Sequence, residues 1–364
     1  MVDEISRRLL EGAWKPHTDG KFYRCEPEDG LESLGEAKRI QNFLRIIKEN
    51  TDPHLLLREG RKSHYEDIYA ATLQMVRDET REVTNPLIAK SLEWIKAAST
   101  LLWVRGEHHI DKNRFASLAD RATDFVQWVV YHEIREVSKP VGMNVISAVA
   151  RATRELDIFS LNHDLLIESQ LNQDGVAFAD GFSSKQGDAR IFSSCWKESD
   201  NAIRLLKLHG SVNWYMFRFK EWDQVAIVNE NPDYCCGGDG KSLEPLNTKP
   251  MFLIGTTVKE QVYGIGFLGE FFTRFRELLS KHQTLICCGY GWRDKGINMR
   301  LNQWLRDAKA NRIVILHNGP VEQVARTRFW YFQWEDYIEA NKVLIVPKWL
   351  SECSVADIQP YFDT

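Results

Sequence analysis

Apolar positions recur at helical spacing over most of the first 150 residues. Between Asp120 and Val137, the residues Val126, Val129, Val130, Ile134 and Val137 fall on one helical face. Ile68–Val76 and Leu87–Leu102 carry a similar pattern, and Pro53, Pro86 and Pro140 punctuate these segments where helices are expected to end. Beyond residue 150, short apolar runs alternate with helical patterns. A helix over Val145–Leu156 is expected to lead into a strand at Asp157–Leu161, and a second strand, Arg204–Leu208, follows an irregular stretch. A helix at Phe267–Leu279 precedes a strand at Thr284–Cys288. Then Ile297, Leu301, Trp304, Leu305 and Ala308 mark a further amphipathic helix before a strand at Arg312–Leu316. The run Val343–Val346 predicts a last strand ahead of a terminal helix. Short, wholly apolar strands alternating with helices predict an α/β fold, a Rossmann-like parallel sheet covered on both faces with a large helical amino-terminal region. The expected division is 1–150 for the helical region, comprising a first core helix and a helical insertion, and 151–364 for the sheet-bearing core. No repeat or low-complexity tract interrupts this organisation.

Composition narrows the function classes. The length of 364 residues fits two or three units at roughly 150 residues each. Lys+Arg 47 against Asp+Glu 51 leaves a formal charge of −4, which argues against a chain-wide basic footprint, so direct nucleic-acid binding is not expected. A hydrophobic content of 43% supports a sizeable core rather than disorder. No apolar run approaches the roughly 18 residues of a membrane span, and the first ten residues lack the apolar stretch of a secretion signal. The seven cysteines include two adjacent pairs but no disulfide-like framework. A soluble, cytoplasmic protein is expected.

In open parallel sheets ligands bind at the carboxyl ends of the strands, and polar clusters occupy those ends here. They are Ser160-Leu161-Asn162-His163-Asp164, Lys207-Leu208-His209-Gly210-Ser211-Val212-Asn213-Trp214, Cys287-Cys288-Gly289-Tyr290-Gly291-Trp292-Arg293-Asp294, and the weaker Leu316-His317-Asn318-Gly319. Any one of them is ordinary turn or cap chemistry. Four in sheet order are not.

Asn-x-Asp after one strand, Lys-Leu-His-Gly-Ser after the next, and Gly-Tyr-x-x-x-Asp followed by Ile-Asn resemble the sirtuin-like family over roughly residues 150–320. The closer resemblance is to the branch of bacterial antiphage defence proteins that mostly hydrolyse NAD. That resemblance implies a sirtuin-like Rossmann core and assigns roles by position. Asn162 would position a water near the anomeric carbon of the nicotinamide ribose, Asp164 would contact the carboxamide, and His209 would stand beside the ribose hydroxyls. Gly289, Tyr290 and Gly291 would underlie the phosphates and adenine ribose, and Asn318 would contact a ribose. The residue types suit the chemistry. Cleavage of an N-glycosidic bond passes through an oxocarbenium-like state, which a placed water and polar groups on the hydroxyls stabilise. A histidine exchanges protons near neutral pH, and glycines let backbone approach phosphates.

The chain departs from the family pattern twice. The opening strand with its Gly-Ala-Gly-x-Ser cradle is missing, and Met1–Leu10 reads like the helix that would follow it. A start displaced past that loop is the favoured explanation over a true variant, because losing a central strand costs more stability than a domain holds. Second, the interval that carries two Cys-x-x-Cys pairs in deacetylases holds only Cys235-Cys236, so no zinc is expected and free NAD is favoured over an acylated peptide.

Other candidates have plain readings. His108, His109 and Asp111, like His132 and Glu133, fit no zinc spacing and are expected to be solvated helix or loop residues. Cys287 and Cys288 are expected to be inert buried thiols. Cys235–Gly240 is expected to be a mobile loop or lid rather than a phosphate cradle, and Lys259 a surface lysine or a substrate contact. Trp94, Trp128 and Trp304 are expected in the core, whereas Trp214 and Trp292 either line the nucleotide pocket or join the core. The resulting expectation is an NAD glycohydrolase, restrained by homo-oligomerisation, by a nucleotide signal or by a partner such as an ATP-driven DNA translocase or a short Argonaute. The alternatives are a non-catalytic scaffold and, less favoured, an NAD-dependent protein deacylase.

Overall fold

The computed structural model describes residues 1–25, 35–80, 86–103, 114–153, 155–193, 196, 202–219, 222–228, 232–246, 248–255, 263–264, 266–327, 329–330 and 333–362. The chain forms two compact units, Met1–Glu136 with Ile254–Val258, and Val137–Leu253 with Lys259–Thr364.

The first unit is helical apart from one small hairpin. It comprises α1 (Val2–Glu11), β1 (Trp14–Pro16) paired antiparallel with β2 (Phe22–Arg24), α2 (Gly35–Glu59), α3 (Tyr65–Glu79), α4 (Pro86–Ala98), α5 (Thr100–Trp103) and α6 (Arg114–Arg135). The helical spacing read in α6 has its physical counterpart, since Val126, Val129, Val130 and Ile134 are all buried, while Val137 lies past the helix end. Three expectations fail here. Pro53 sits inside α2 rather than at an end; the one lost backbone bond is absorbed by a 25-residue helix anchored through Ile40, Phe43, Leu44 and Ile47. Trp94 is 75% exposed on α4 and contributes nothing to the core. His132 and Glu133 are structural rather than solvated. His132 Nε2 lies 2.9 Å from the Phe22 carbonyl, and the Glu133 carboxylate pairs with Arg24 at 2.5 Å.

The second unit contains α7 (Asn144–Ala152), β3 (Glu155–Ser160), α8 (Leu166–Gln173), β4 (Ala189–Ile191), β5 (Ala202–Lys207), β6 (Trp214–Phe219), β7 (Trp222–Val228), β8 (Glu244–Pro245), α9 (Gly266–Leu279), β9 (Thr284–Cys288), α10 (Lys295–Asp307), β10 (Arg312–Leu316), α11 (Val321–Ala325), α12 (Trp334–Glu339), β11 (Val343–Val346) and α13 (Val355–Ile358). Its parallel strands form two groups, β3 beside β5, and β9–β10–β11 with β10 central. Alternation along β10 shows why the sheet is covered on both faces. Ile313 and Ile315 pack with α9 and α10 through Phe271, Phe275, Leu301 and Trp304, whereas Val314 and Leu316 pack with Val145 and Val149 of α7. α7 ends at Ala152, not Leu156, because the chain turns extended at Thr153 and Leu156 belongs to β3.

β3 and β5 are not wholly apolar. Asp157 and Arg204 are cross-strand neighbours, and the buried Asp157 carboxylate accepts from Arg204 and, at 2.6 Å, from His282 ahead of β9. Burial alone would raise that carboxyl's pKa; the hydrogen bonds from His282 and Arg204 hold it below the ordinary value. An antiparallel sheet, β4–β7–β6–β8, fills the interval read as irregular. The segment at Cys235–Gly240 is a tight turn against that sheet rather than a lid. Cys235 is buried, Gly237 donates to Lys241, and Leu243 donates to Cys235.

Candidate active site

β3 and β5 run parallel with Ser160 opposite Lys207, so the chain beyond each strand emerges side by side. Asn162 is exposed there, and its side-chain amide makes no hydrogen bond among the described residues. Asp164 is buried. Its carboxylate accepts the Leu166 amide at 3.1 Å and so organises the start of α8.

Lys207 explains why a lysine closes an otherwise apolar strand. Its side chain is 4% exposed and its ammonium donates to the carbonyls of His163 (3.4 Å) and Asp164 and to Ser211 Oγ (2.8 Å), with Glu168 Oε1 at 3.0 Å. Burial pushes the Glu168 carboxyl up even against the lysine charge. Ser211 Oγ also donates to the His163 carbonyl at 3.3 Å. Lys207 and Ser211 thus staple the Asn162–Asp164 loop to the end of β5. Between them Gly210 has φ +80°, and a Cβ there would lie 2.1 Å from the Met251 carbonyl, so glycine is required both for conformation and for space.

His209 projects into a buried polar network. Its Nε2 lies 2.6 Å from the Tyr263 hydroxyl and 3.0 Å from Asp294 Oδ2, and the Tyr263 hydroxyl donates to the same Oδ2 at 2.6 Å. The side chains of His209 and Asp294 are 4% and 6% exposed. Asp294 also caps α10, accepting the Ile297 amide on Oδ1 at 3.0 Å. Burial alone would raise its carboxyl, but the hydrogen bond and charge of His209, the Ile297 amide and Tyr263 hold its pKa at about 2. Tyr263 is fixed by stacking on Phe272 at 4.4 Å and by the room that Gly296 leaves, since a Cβ there would lie 2.5 Å from the tyrosine ring.

β9 and β10 pair at Cys288 and Leu316, which brings the Gly289–Gly291 loop beside Asn318. Gly289, Gly291 and Asn318 are exposed. Tyr290 turns inward, donating to Asn298 Oδ1 at 2.7 Å and to the Asp294 carbonyl at 3.2 Å, and burial pushes its phenol up. Asn318 Nδ2 donates at 3.0 Å to Glu352 Oε2, which also accepts the Trp349 amide at 2.8 Å. Trp214 and Trp292 belong to the core, at 2% and 3% exposure. Trp292 takes the left-handed backbone (φ +56°) that turns its indole inward to stack on Phe329 at 5.4 Å. Cys287 is half-buried with its thiol pushed up by burial, but Cys288 is exposed at the strand end. His108, His109, Asp111 and Lys259 lie outside the described residues. Among the described residues no three His, Cys, Asp or Glu side chains converge as a metal-ligand group.

The strand ends therefore gather Asn162, Asp164 and His209 beyond β3 and β5, and Gly289, Tyr290, Gly291 and Asn318 beyond β9 and β10. A family model described as a SIR2-like domain matches residues 157–338, half of the chain. The chain belongs to the SIR2-like family. No curated protein matches it at a significant level. The SIR2-like segment starts inside β3 and ends within α12, so it contains every one of these residues, and it places an NAD-related fold beneath them. Sequence reasoning missed Lys207, Glu168 and Tyr263 and gave Asp294 no role. A lysine ending an apolar strand, and an aspartate three residues before Ile297 at a helix start, were the available signals for Lys207 and Asp294. Tyr263 offered none.

Proposed function

We propose that the protein is an NAD glycohydrolase that releases nicotinamide and ADP-ribose. The observation that carries this reading is the pairing, at adjoining strand ends, of an exposed amide with no side-chain hydrogen bond among the described residues and a buried histidine. Asn162 is placed to hold a water, and His209 to interact with the ribose hydroxyls. The glycosidic C–N bond breaks with its electron pair leaving on nicotinamide. The water oxygen then bonds to the anomeric carbon and gives up one proton. A buried, prearranged dipole beside the developing positive charge is worth more than the same group in water. The exposed Gly289–Gly291 backbone and Asn318 would bind the remainder of the dinucleotide.

The resemblance of its motifs to antiphage proteins extends the reading to an NAD-depleting effector in the cytoplasm, held in check by homo-oligomerisation or by a partner such as a DNA translocase or a short Argonaute. The direct test is nicotinamide release from NAD by the purified protein beside Asn162→Ala and His209→Ala, with and without an acylated peptide. Release without peptide that is lost in both variants supports the hydrolase. Release that requires peptide supports a deacylase, and no release by a folded protein supports a nucleotide-binding scaffold.

A further inference from the structure

We propose that Asp294 is the positioning residue for His209, fixing the imidazole with its proton on Nε2 while tying it to the helix that follows the Gly289–Gly291 loop; this rests on the hydrolase reading above.

The proton assignment follows from which groups can donate. Tyr263 spends its only hydroxyl hydrogen on Asp294 Oδ2, so towards His209 its oxygen can only accept. An ionised carboxylate accepts only, and Asp294 is held ionised over the neutral range. Nε2 faces both acceptors, at 2.6 and 3.0 Å, and must therefore carry the hydrogen. In the neutral ring the lone pair then resides on Nδ1, which becomes the basic atom. An aspartate that orients a histidine in this way is the third member of the nucleophile–base–orienter arrangement seen across hydrolytic sites.

The two oxygens of Asp294 have different tasks. Oδ2 holds His209, and Oδ1 holds the first turn of α10 through the Ile297 amide. The Asp294 carbonyl accepts from Tyr290, the middle residue of the glycine loop, and from the Asn298 amide. A displacement of that loop is therefore transmitted through one residue to the imidazole. Among the described residues, the titratable groups facing the ring are Asp294 at the start of α10, Tyr263 ahead of α9 and His163 beyond β3, whose ring centre is 6.1 Å away. Of these, Asp294 both carries charge and accepts from Nε2.

Asp294→Asn separates the two tasks. Its amide oxygen can still cap α10, but its NH2 would then face Nε2, which drives the ring proton to Nδ1. Asp294→Ser keeps a capping oxygen and removes the carboxylate. Nitrogen-15 NMR of the labelled full-length protein is expected to show His209 protonated on Nε2 in the parent and on Nδ1 in Asp294→Asn. Nicotinamide release should fall at least about a hundredfold in kcat in both variants with little change in KM, and Asp294→Asn combined with His209→Ala should lose no more than His209→Ala alone. An unchanged tautomer in Asp294→Asn, or an additive double variant, overturns the proposal. If the parent releases no nicotinamide, the hydrolase reading fails while the NMR result still decides the role of Asp294. If Asp294→Asn does not fold, Asp294→Ser carries the same two readouts.

Discussion

The carboxyl ends of β3 and β5 and those of β9 and β10 are built on opposite principles. At the first, Lys207, Glu168, Asp164, His209 and Asp294 are mostly buried and satisfied by one another, with Asn162 alone turned outward. At the second, Gly289, Gly291, Asn318 and Glu352 are exposed, and one hydrogen bond between Asn318 and Glu352 is the only link between their side chains among the described residues. Buried polar groups in a low-dielectric setting are strong when satisfied and costly when not, so the first end holds its arrangement without a ligand. Exposed groups gain little until a ligand excludes water from them. In the hydrolase reading the second end would serve binding, where the loss of any one group costs much less than at the first.

Breaking the first end should have the largest consequences. Asn162→Ala and His209→Ala are each expected to lower nicotinamide release about a thousandfold or more without unfolding the chain, as measured by initial rates beside a thermal melt. Lys207→Met should act on stability instead. It leaves Glu168 and two carbonyls buried without their cation, at a cost of about 3–5 kcal/mol in denaturant titrations, and Lys207→Met with Glu168→Leu should recover much of that loss. Gly296→Ala tests the same end indirectly. Its methyl group displaces Tyr263, so kcat should fall about tenfold while the helix itself remains. At the second end, Asn318→Ala should raise KM for NAD roughly tenfold with kcat almost unchanged, because it removes one polar contact and leaves no buried orphan.

The smallest effect concerns acid. Asp294 has a folded-state pKa of about 2, below the ordinary carboxyl value near 4, so the unfolded chain binds its proton first as pH falls. Its stabilising contribution is complete above about pH 4 and is lost between there and about pH 2. The parent should therefore lose more stability over that window than Asp294→Asn does, which urea titrations at several pH values will show.

How much of this was legible in the sequence depends on the range of the interaction. β9, β10 and β11 fall at the expected residues, because short apolar runs between helical patterns leave few alternatives. The strand-end residues were legible because turn chemistry and motif coincide there. The antiparallel β4–β7–β6–β8 sheet was missed although Trp214-Tyr215-Met216-Phe217 is rich in strand formers, since its pairing partners are set by tertiary contacts rather than by local pattern. Asp157 inside β3 was read as a strand start because its partners, Arg204 and His282, lie 47 and 125 residues away. Tyr263 escaped for the same reason. Nothing near it in sequence shows that it reaches His209, 54 residues earlier, or Asp294, 31 residues later. Trp94 shows the opposite failure, for helical spacing alone does not say which face is covered.

The central claim is that water held at the β3/β5 end captures the anomeric carbon once the glycosidic bond has broken. It is tested most directly by incubating the protein with NAD in heavy-oxygen water and weighing the products. One heavy oxygen in ADP-ribose, with the label and the turnover both lost in Asn162→Ala, is the predicted result. Cyclic ADP-ribose without solvent oxygen, or turnover that yields only an O-acyl ester of ADP-ribose and only when an acylated peptide is supplied, would contradict it.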